Sequence, residues 1–167
     1  MRGGKPEVVL WDEPMTQQAY RGREFESEID MTIAHYARVG FAWLARFHVP
    51  RVWTRKGMVY TAKTFCDYAG WLLEGGRAVL LEAKSQQKEH TWKPDRTHQL
   101  EILQTARGCG ALGLYVIRVG VNTVYLWRPP LDYRFGEKVV WSDCAKIERQ
   151  WGECPWPWLE KVREVNW

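Results

Sequence analysis

The stretch from Phe65 to Lys84, FCDYAGWLLEGGRAVLLEAK, constrains this chain more than any other. It predicts a β-hairpin with one strand over about Phe65–Leu72 and a second from Ala78 to Lys84. Between them lies a turn at Glu74-Gly75-Gly76, where glycines permit positive φ. The second strand is apolar through Leu81, the pattern of a strand covered on both faces. It then ends in Glu82 and Lys84. Side chains alternate along a strand, so Glu82 and Lys84 share one face and Ala83 takes the other. Folding about the glycines sets Asp67 opposite the Glu82–Lys84 level of the partner strand. Two carboxylates and an ammonium therefore converge at one end of a largely apolar hairpin. Unpaired charges are costly in such strands, and two adjacent carboxylates repel unless a cation joins them. Glu82-Ala83-Lys84 is the only Asp/Glu-x-Lys triplet in the chain.

The segments around the hairpin supply a scaffold. Phe25, Ile29, Ile33 and Tyr36 fall on one helical stripe, which predicts a helix over Arg23–Val39 ended by Gly40. Glu24, Glu26, Glu28 and Asp30 fall in its first turns, where the helix dipole favours negative charge. Glu26 borders the apolar stripe and is placed to point inward. Phe41–Phe47 reads as a first strand. From Met31 through Cys66 there is no acidic residue, while Arg38, Arg46, Arg51, Arg55, Lys56 and Lys63 all occur. A one-signed run of this kind suits phosphates. Within it Pro50–Thr64, PRVWTRKGMVYTAKT, predicts a short projecting hairpin turning at Gly57, with Trp53 and Tyr60 available to stack on bases.

After the central hairpin, Ser85–Pro94 reads as a polar, mobile loop over the site, carrying Lys88 and Lys93. A second helix, capped by Asp95 or Thr97, runs to Arg107 and stops at Gly108 and Gly110. Gln99, Leu103 and Ala106 share its inner face, so Gln99 is directed toward the core and needs polar partners there. Gly113–Val119 and Thr123–Arg128 predict two more strands around a Val121-Asn122 turn, with Pro129-Pro130 as the stop. Met1–Tyr20 reads as a flexible arm. Leu131–Trp167 is a Trp-rich extension whose Pro-Trp-Pro-Trp stretch opposes a continuous helix, and it is left open whether this tail covers its own domain or a partner.

The set Gly22-x-x-Phe25-Glu26-x-x-Ile29, Asp67-Tyr68-x-Gly70, Glu82-Ala83-Lys84 and His98-Gln99 resembles, in order, the RecU-type Holliday junction resolvases of the PD-(D/E)XK nuclease superfamily. Cys66 stands where the superfamily signature often has Pro. The likeness covers about residues 22–128, with Pro50–Thr64 in the place of the family's stalk but shorter. It implies a mixed α/β fold, a restriction-endonuclease-like core in which a central mixed sheet is flanked by helices. It also implies that Asp67, Glu82, Glu26 and the Ala83 carbonyl hold Mg²⁺, or Mn²⁺ in its place, with Lys84 and Gln99 serving the reaction. Arg51, Trp53, Arg55, Lys56, Tyr60, Lys63, Lys88 and Lys93 would meet DNA. The implied activity is paired nicking of a four-way junction by a homodimer, leaving 5′-phosphate and 3′-hydroxyl ends. Restriction, repair and flap nucleases share the same core, and a non-catalytic junction-binding protein is a further alternative.

Composition agrees with this class. At 167 residues the chain suits one domain with a substantial core, and its net charge of +4 is compatible with a polyanionic partner. Cys66, Cys109, Cys144 and Cys154 have neither zinc-finger spacing nor a CxxC pair, which disfavours a disulfide scaffold and a zinc site. No apolar run approaches membrane-spanning length, and a cytoplasmic protein is expected.

Overall fold

The computed structural model describes residues 16–47, 51–54, 57–60, 65–148 and 156–164. Helix α1 (Gln17–Arg38) is followed by strands β1 (Ala42–Arg46), β2 (Arg51–Thr54), β3 (Gly57–Tyr60), β4 (Tyr68–Leu72) and β5 (Ala78–Gln86). Helix α2 (Thr97–Gly108) leads to β6 (Leu112–Val119) and β7 (Thr123–Trp127), and the chain continues through β8 (Ala145–Glu148) to α3 (Trp158–Glu164). Six strands form one mixed sheet in the order β1-β4-β5-β6-β7-β8, and β2 and β3 form a separate hairpin. All pairs in the large sheet are antiparallel except β5 with β6, which α2 connects as a crossover. The expected order of helix, antiparallel meander, helix and strands is present, in a mixed α/β fold with helices on both sides of the sheet.

Strand alternation sorts the core into two layers. On one face Phe25, Ile29, Ile33 and Tyr36 of α1 pack against Val79, Leu81, Leu112, Leu114 and Val116. On the other, Leu100 and Leu103 of α2 pack against Tyr115, Ile117 and Val119, with Leu80 alongside. β5 and β6 are buried on both faces, as their continuous apolar sequences require. Gly113 lets α2 approach, since a Cβ there would lie 2.3 Å from the Leu103 carbonyl oxygen. Gly40, at φ 71°, closes α1. The Phe41 N–H reaches the Tyr36 carbonyl at 2.9 Å, and the Gly40 N–H reaches that of Ala37 at 3.4 Å, the pairing of a left-handed helix cap.

Several expectations require correction. α1 begins at Gln17, so Gln17–Tyr20 is helical rather than arm, and no acidic residue occupies its first turn. The helix dipole therefore does not account for the acids that follow. Glu24 and Glu28 instead pair, at 3.1 and 3.2 Å, with Arg118, a β6 residue only 2% exposed whose guanidinium also lies over the Phe25 ring. Arg96, without a side-chain cap bond, occupies the N-cap of α2, where Asp95 or Thr97 was expected. β5 runs to Gln86, beyond Lys84, and the loop after it is tied down by a bridge between Trp92 and Val139. Gly57 pairs with Thr54 as the first residue of β3, rather than forming the turn.

The tail joins the body of the domain. β8 extends the sheet at its far edge, and Trp156, Trp158 and Leu159 enter the α1 core layer. The Tyr36 hydroxyl donates to the Trp156 carbonyl at 2.8 Å and accepts the Leu159 N–H at 3.2 Å. The Trp156 indole donates to Glu28 at 3.0 Å, so one carboxylate ties the tail and Arg118 to α1. Burying these two indoles stabilises the fold by several kcal/mol, since truncating a core Trp costs about 3–5 kcal/mol.

Candidate active site

The site is built where β4 and β5 pair. Tyr68 is opposite Leu81, and the Asp67 N–H donates to the Leu81 carbonyl at 3.1 Å, which extends the ladder by one residue. Ala83, two residues beyond Leu81, presents its main chain to the same side, and its N–H donates to Asp67 Oδ2 at 2.9 Å. This bond holds the Asp67 carboxylate beside β5.

Glu82 and Lys84 point to the face that α2 covers. Glu82 is 2% exposed, and its Oε1 lies 3.0 Å from Lys84 Nζ. Gln99, 3% exposed on the inner face of α2, links the two. Its Nε2 donates to Glu82 Oε1, and its Oε1 accepts from Lys84 Nζ at 3.2 Å. Asp95 completes the grip on Lys84 at 3.1 Å. The carboxylate expected to cap α2 is thus drawn to the nearest ammonium. Asp67, Glu82, Ala83, Lys84 and Gln99 come together as the hairpin and the helix stripe predicted.

Electrostatics follow from this packing. Burial, then the charge of Asp67, raise the Glu82 carboxyl from its ordinary 4.5 to about 7, against the opposing pull of Lys84. Burial disfavours the Lys84 ammonium, but Glu82 and Asp95 outweigh it and hold its pKa above the usual lysine value. Lys84 is therefore a cation at neutral pH. Cys66 is pushed up to about 12 by burial and then by the Glu82 and Asp67 charges. Its Sγ donates to the Tyr68 carbonyl at 3.1 Å, so the residue preceding Asp67 is an inert packing group.

Other candidate residues are placed elsewhere. Glu26 is on α1, across the sheet from Glu82, and its carboxylate pairs with Arg46, which also holds Asp30 at 3.1 Å. Arg46, counted in the basic run, is neutralised by these acids from the preceding helix. Lys88 and Lys93 are exposed on the β5–α2 loop. β2 and β3 give the expected hairpin backbone between β1 and β4 and carry Arg51, Trp53 and Tyr60. Arg55, Lys56 and Lys63 lie outside the described residues.

Asp95, expected only as a helix cap, and Tyr115, not singled out in the sequence, border the site. Tyr115 is the β6 neighbour of Glu82, fully buried, with a hydroxyl that has no hydrogen-bond partner among the described residues. Its phenol is raised by burial and then by the charges of Glu82, Asp95 and Asp67. A tyrosine in an apolar strand carries no signal of such a position, because the register of β6 on β5 is a tertiary fact.

The donor set suits a hard divalent cation. Asp67 and Glu82 supply carboxylate oxygens, and Glu82 Oε2 is buried with no hydrogen-bond partner among the described residues, a costly state that a cation would relieve. Among the described residues no three acidic, histidine or cysteine side chains gather closely enough to hold a metal ion by themselves. Two carboxylates with main-chain, water and substrate-phosphate oxygens is the usual environment of Mg²⁺.

Among the described residues no helix is long and apolar enough to cross a membrane. No protein-family model matches the chain, and no curated protein matches it. Among solved structures, the chain is similar to Hjc from Archaeoglobus fulgidus, described as a Holliday junction resolvase from an archaeal hyperthermophile. The two share 18% identity over 76% of this chain and 88% of that one, with a TM-score of 0.45.

Proposed function

We propose that this chain is a divalent-cation-dependent endonuclease that resolves four-way DNA junctions. The observation that carries the nuclease reading is the convergence of Asp67, Glu82, Lys84 and Gln99 on one face of the β4–β5 hairpin. Asp67 and Glu82, with the Ala83 carbonyl, would hold Mg²⁺ or Mn²⁺, and Glu26 would join them only on leaving Arg46. When bound, the cation supplies charge neutralisation at the scissile phosphate and lowers the pKa of water. Lys84, kept protonated by Glu82 and Asp95, is suited to donate to a phosphate oxygen as negative charge builds there, rather than to accept a proton from water. Gln99 fixes the relative positions of Glu82 and Lys84 with one carboxamide, an arrangement in which neither charge can turn away independently. Burial of Glu82 keeps competing water from its carboxylate.

The preference for a four-way junction rests on the resemblance of the ordered motifs and on the β2–β3 hairpin between β1 and β4. Arg51, Trp53, Arg55, Lys56, Tyr60 and Lys63 would enter the branch point from that hairpin, and Lys88 and Lys93 would flank the cut strand. A junction has approximate two-fold symmetry, so two opposed cuts call for a homodimer. The exposed Trp43 and Trp71, stacked across β1 and β4 at 4.6 Å between ring centroids, offer an apolar contact for the second copy. A cytoplasmic setting accords with such a substrate.

Incubation with a labelled immobile four-way junction, a linear duplex and a flap, each with Mg²⁺ or with chelator, tests the reading. Paired nicks in the junction alone and only with Mg²⁺ are expected. Equal cutting of duplex or flap would assign the site to another nuclease class, and no cutting of any DNA would refute nuclease activity.

A further inference from the structure

A second concavity adjoins the site. Beyond Lys84, the end of β5, the β5–α2 loop and the first turns of α1 enclose a cleft of about 680 Å³, within the range of about 300–1,000 Å³ typical of small-ligand pockets. It opens at the carboxyl end of β5, one member of the sheet's parallel pair, where ligands of open α/β sheets characteristically bind. Lys84 is common to the cleft and to the carboxylate site, so whatever fills one is continuous with the other.

The lining has three kinds of chemistry. Arg21 and Lys84 are cations suited to a phosphate. Gln86 and Gln87 each carry an amide donor and a carbonyl acceptor, which a phosphate, an acceptor alone, cannot match in full. Base edges present both kinds of group. Trp92 adds an aromatic wall, held in place by edge-on contacts with Tyr115 and Trp127 and by the Val139 N–H donating to its carbonyl at 2.9 Å. Two groups point to an occupant. Among the described residues, Gln86 Nε2 is buried without a hydrogen-bond partner, and the Arg21 guanidinium is met in the cleft by the neutral carboxamide of Gln87 and by no carboxylate. Among the described residues of the lining Asp95 alone is acidic, and its carboxylate is held by Lys84.

We propose that this cleft receives one unstacked nucleotide of the cut strand, with its phosphate between Arg21 and Lys84 and its base against Trp92 and the two glutamines. A base seated against Trp92 within the cleft cannot also remain stacked in a duplex. The cleft therefore selects substrates whose strand is already unpaired beside the scissile phosphate, as at a branch point. The inference rests on the nuclease reading for its substrate, but its test does not depend on cleavage.

The test uses the full chain in chelator with two probes, a short single-stranded oligothymidylate and a four-way junction carrying iododeoxyuridine near the branch. Irradiation should attach the base to the peptide holding Trp92. Arg21→Ala should weaken oligothymidylate binding about tenfold at low salt, the value of a charged hydrogen bond. It should also flatten the slope of log K against log salt by about 0.7, one phosphate contact on a single strand. Arg21→Lys should restore most of the slope. Attachment only outside residues 84–95, an unchanged slope in Arg21→Ala, or tighter capture of free thymidine monophosphate than of the strand would each overturn the inference. If the wild type cuts DNA while Arg21→Ala binds normally, the cleft assignment alone fails. If Arg21-dependent binding holds but no DNA is cut with Mg²⁺, the nuclease reading alone fails.

Discussion

Replacing Glu82 by Gln should reveal the strain of two neighbouring carboxylates. Glu82 is 2% exposed, and its carboxyl is raised from 4.5 to about 7 by burial and then by Asp67. In chelator, the folded protein therefore keeps a proton on Glu82 between pH 4.5 and 7 that the unfolded chain has released. Stability rises with pH only where the unfolded state binds more protons, so here the sign is reversed and wild-type stability falls as pH rises through this window. The full effect is the shift multiplied by 1.36 kcal/mol per pH unit, about 3 kcal/mol. Gln cannot ionise. Its loss of attraction for Lys84 adds a nearly constant offset, because Lys84 remains protonated throughout. Urea unfolding at a series of pH values, with m compared between proteins, measures the difference. Variant stability minus wild-type stability should grow by about 3 kcal/mol from below pH 4.5 to above pH 7, and Mg²⁺ should stabilise the wild type but not the variant. Parallel curves in chelator would refute the reasoning, since they would mean that Glu82 titrates as an ordinary carboxylate.

Asp67→Asn and Lys84→Ala should each reduce junction cleavage by at least about a hundredfold, as loss of a charge-stabilising group does, while binding in chelator measured by gel shift changes little. Full cleavage by either variant removes that residue from the mechanism. Glu26→Gln releases Arg46 and should lower cleavage less than Glu82→Gln does, and an equal loss in the cleavage assay would make Glu26 a full ligand. Gly113→Ala would set a Cβ 2.3 Å from the Leu103 carbonyl oxygen and 3.0 Å from its Cα. The forced shift of α2 should lower stability by about 1–3 kcal/mol and slow cleavage through Gln99, one turn away, with urea midpoint and cleavage rate as the readouts. Reversing the charges of Arg55 and Lys56 should weaken junction binding and flatten its salt dependence by close to two phosphate contacts, a slope change of about 1.8 on duplex arms. An unchanged slope would place both side chains away from DNA.

The central hairpin was legible because its signals are local and reinforce one another. Two glycines at φ 76° and 62° occupy the predicted turn, and the apolar run and the charges at its end set which faces are dry. The pairing of Tyr68 with Leu81 then follows from a turn of known length. Gln99 was legible for a related reason, since helical spacing places it on the same face as Leu103. The separation of Glu26 from Glu82 was not. Spacing puts Glu26 at the border of the apolar stripe, but which face of the sheet α1 covers is not written in that helix, and Arg46 is an available partner on the α1 side.

Sequence alone determined the class and order of the elements through β7, and the identity of the hairpin that gathers Asp67, Glu82 and Lys84, because periodicity and turn chemistry act over a few residues. Tertiary structure decided which charges answer one another. Arg118 recruits Glu24 and Glu28 from ninety or more positions away, Asp95 leaves a helix cap for Lys84, and Trp156 and Trp158 of the tail complete the core beside Tyr36. The Arg118 pairings and the Trp156–Glu28 bond are selected by burial, where a charge or an indole N–H without a partner is expensive. Burial is a property of the assembled layers and of no single segment.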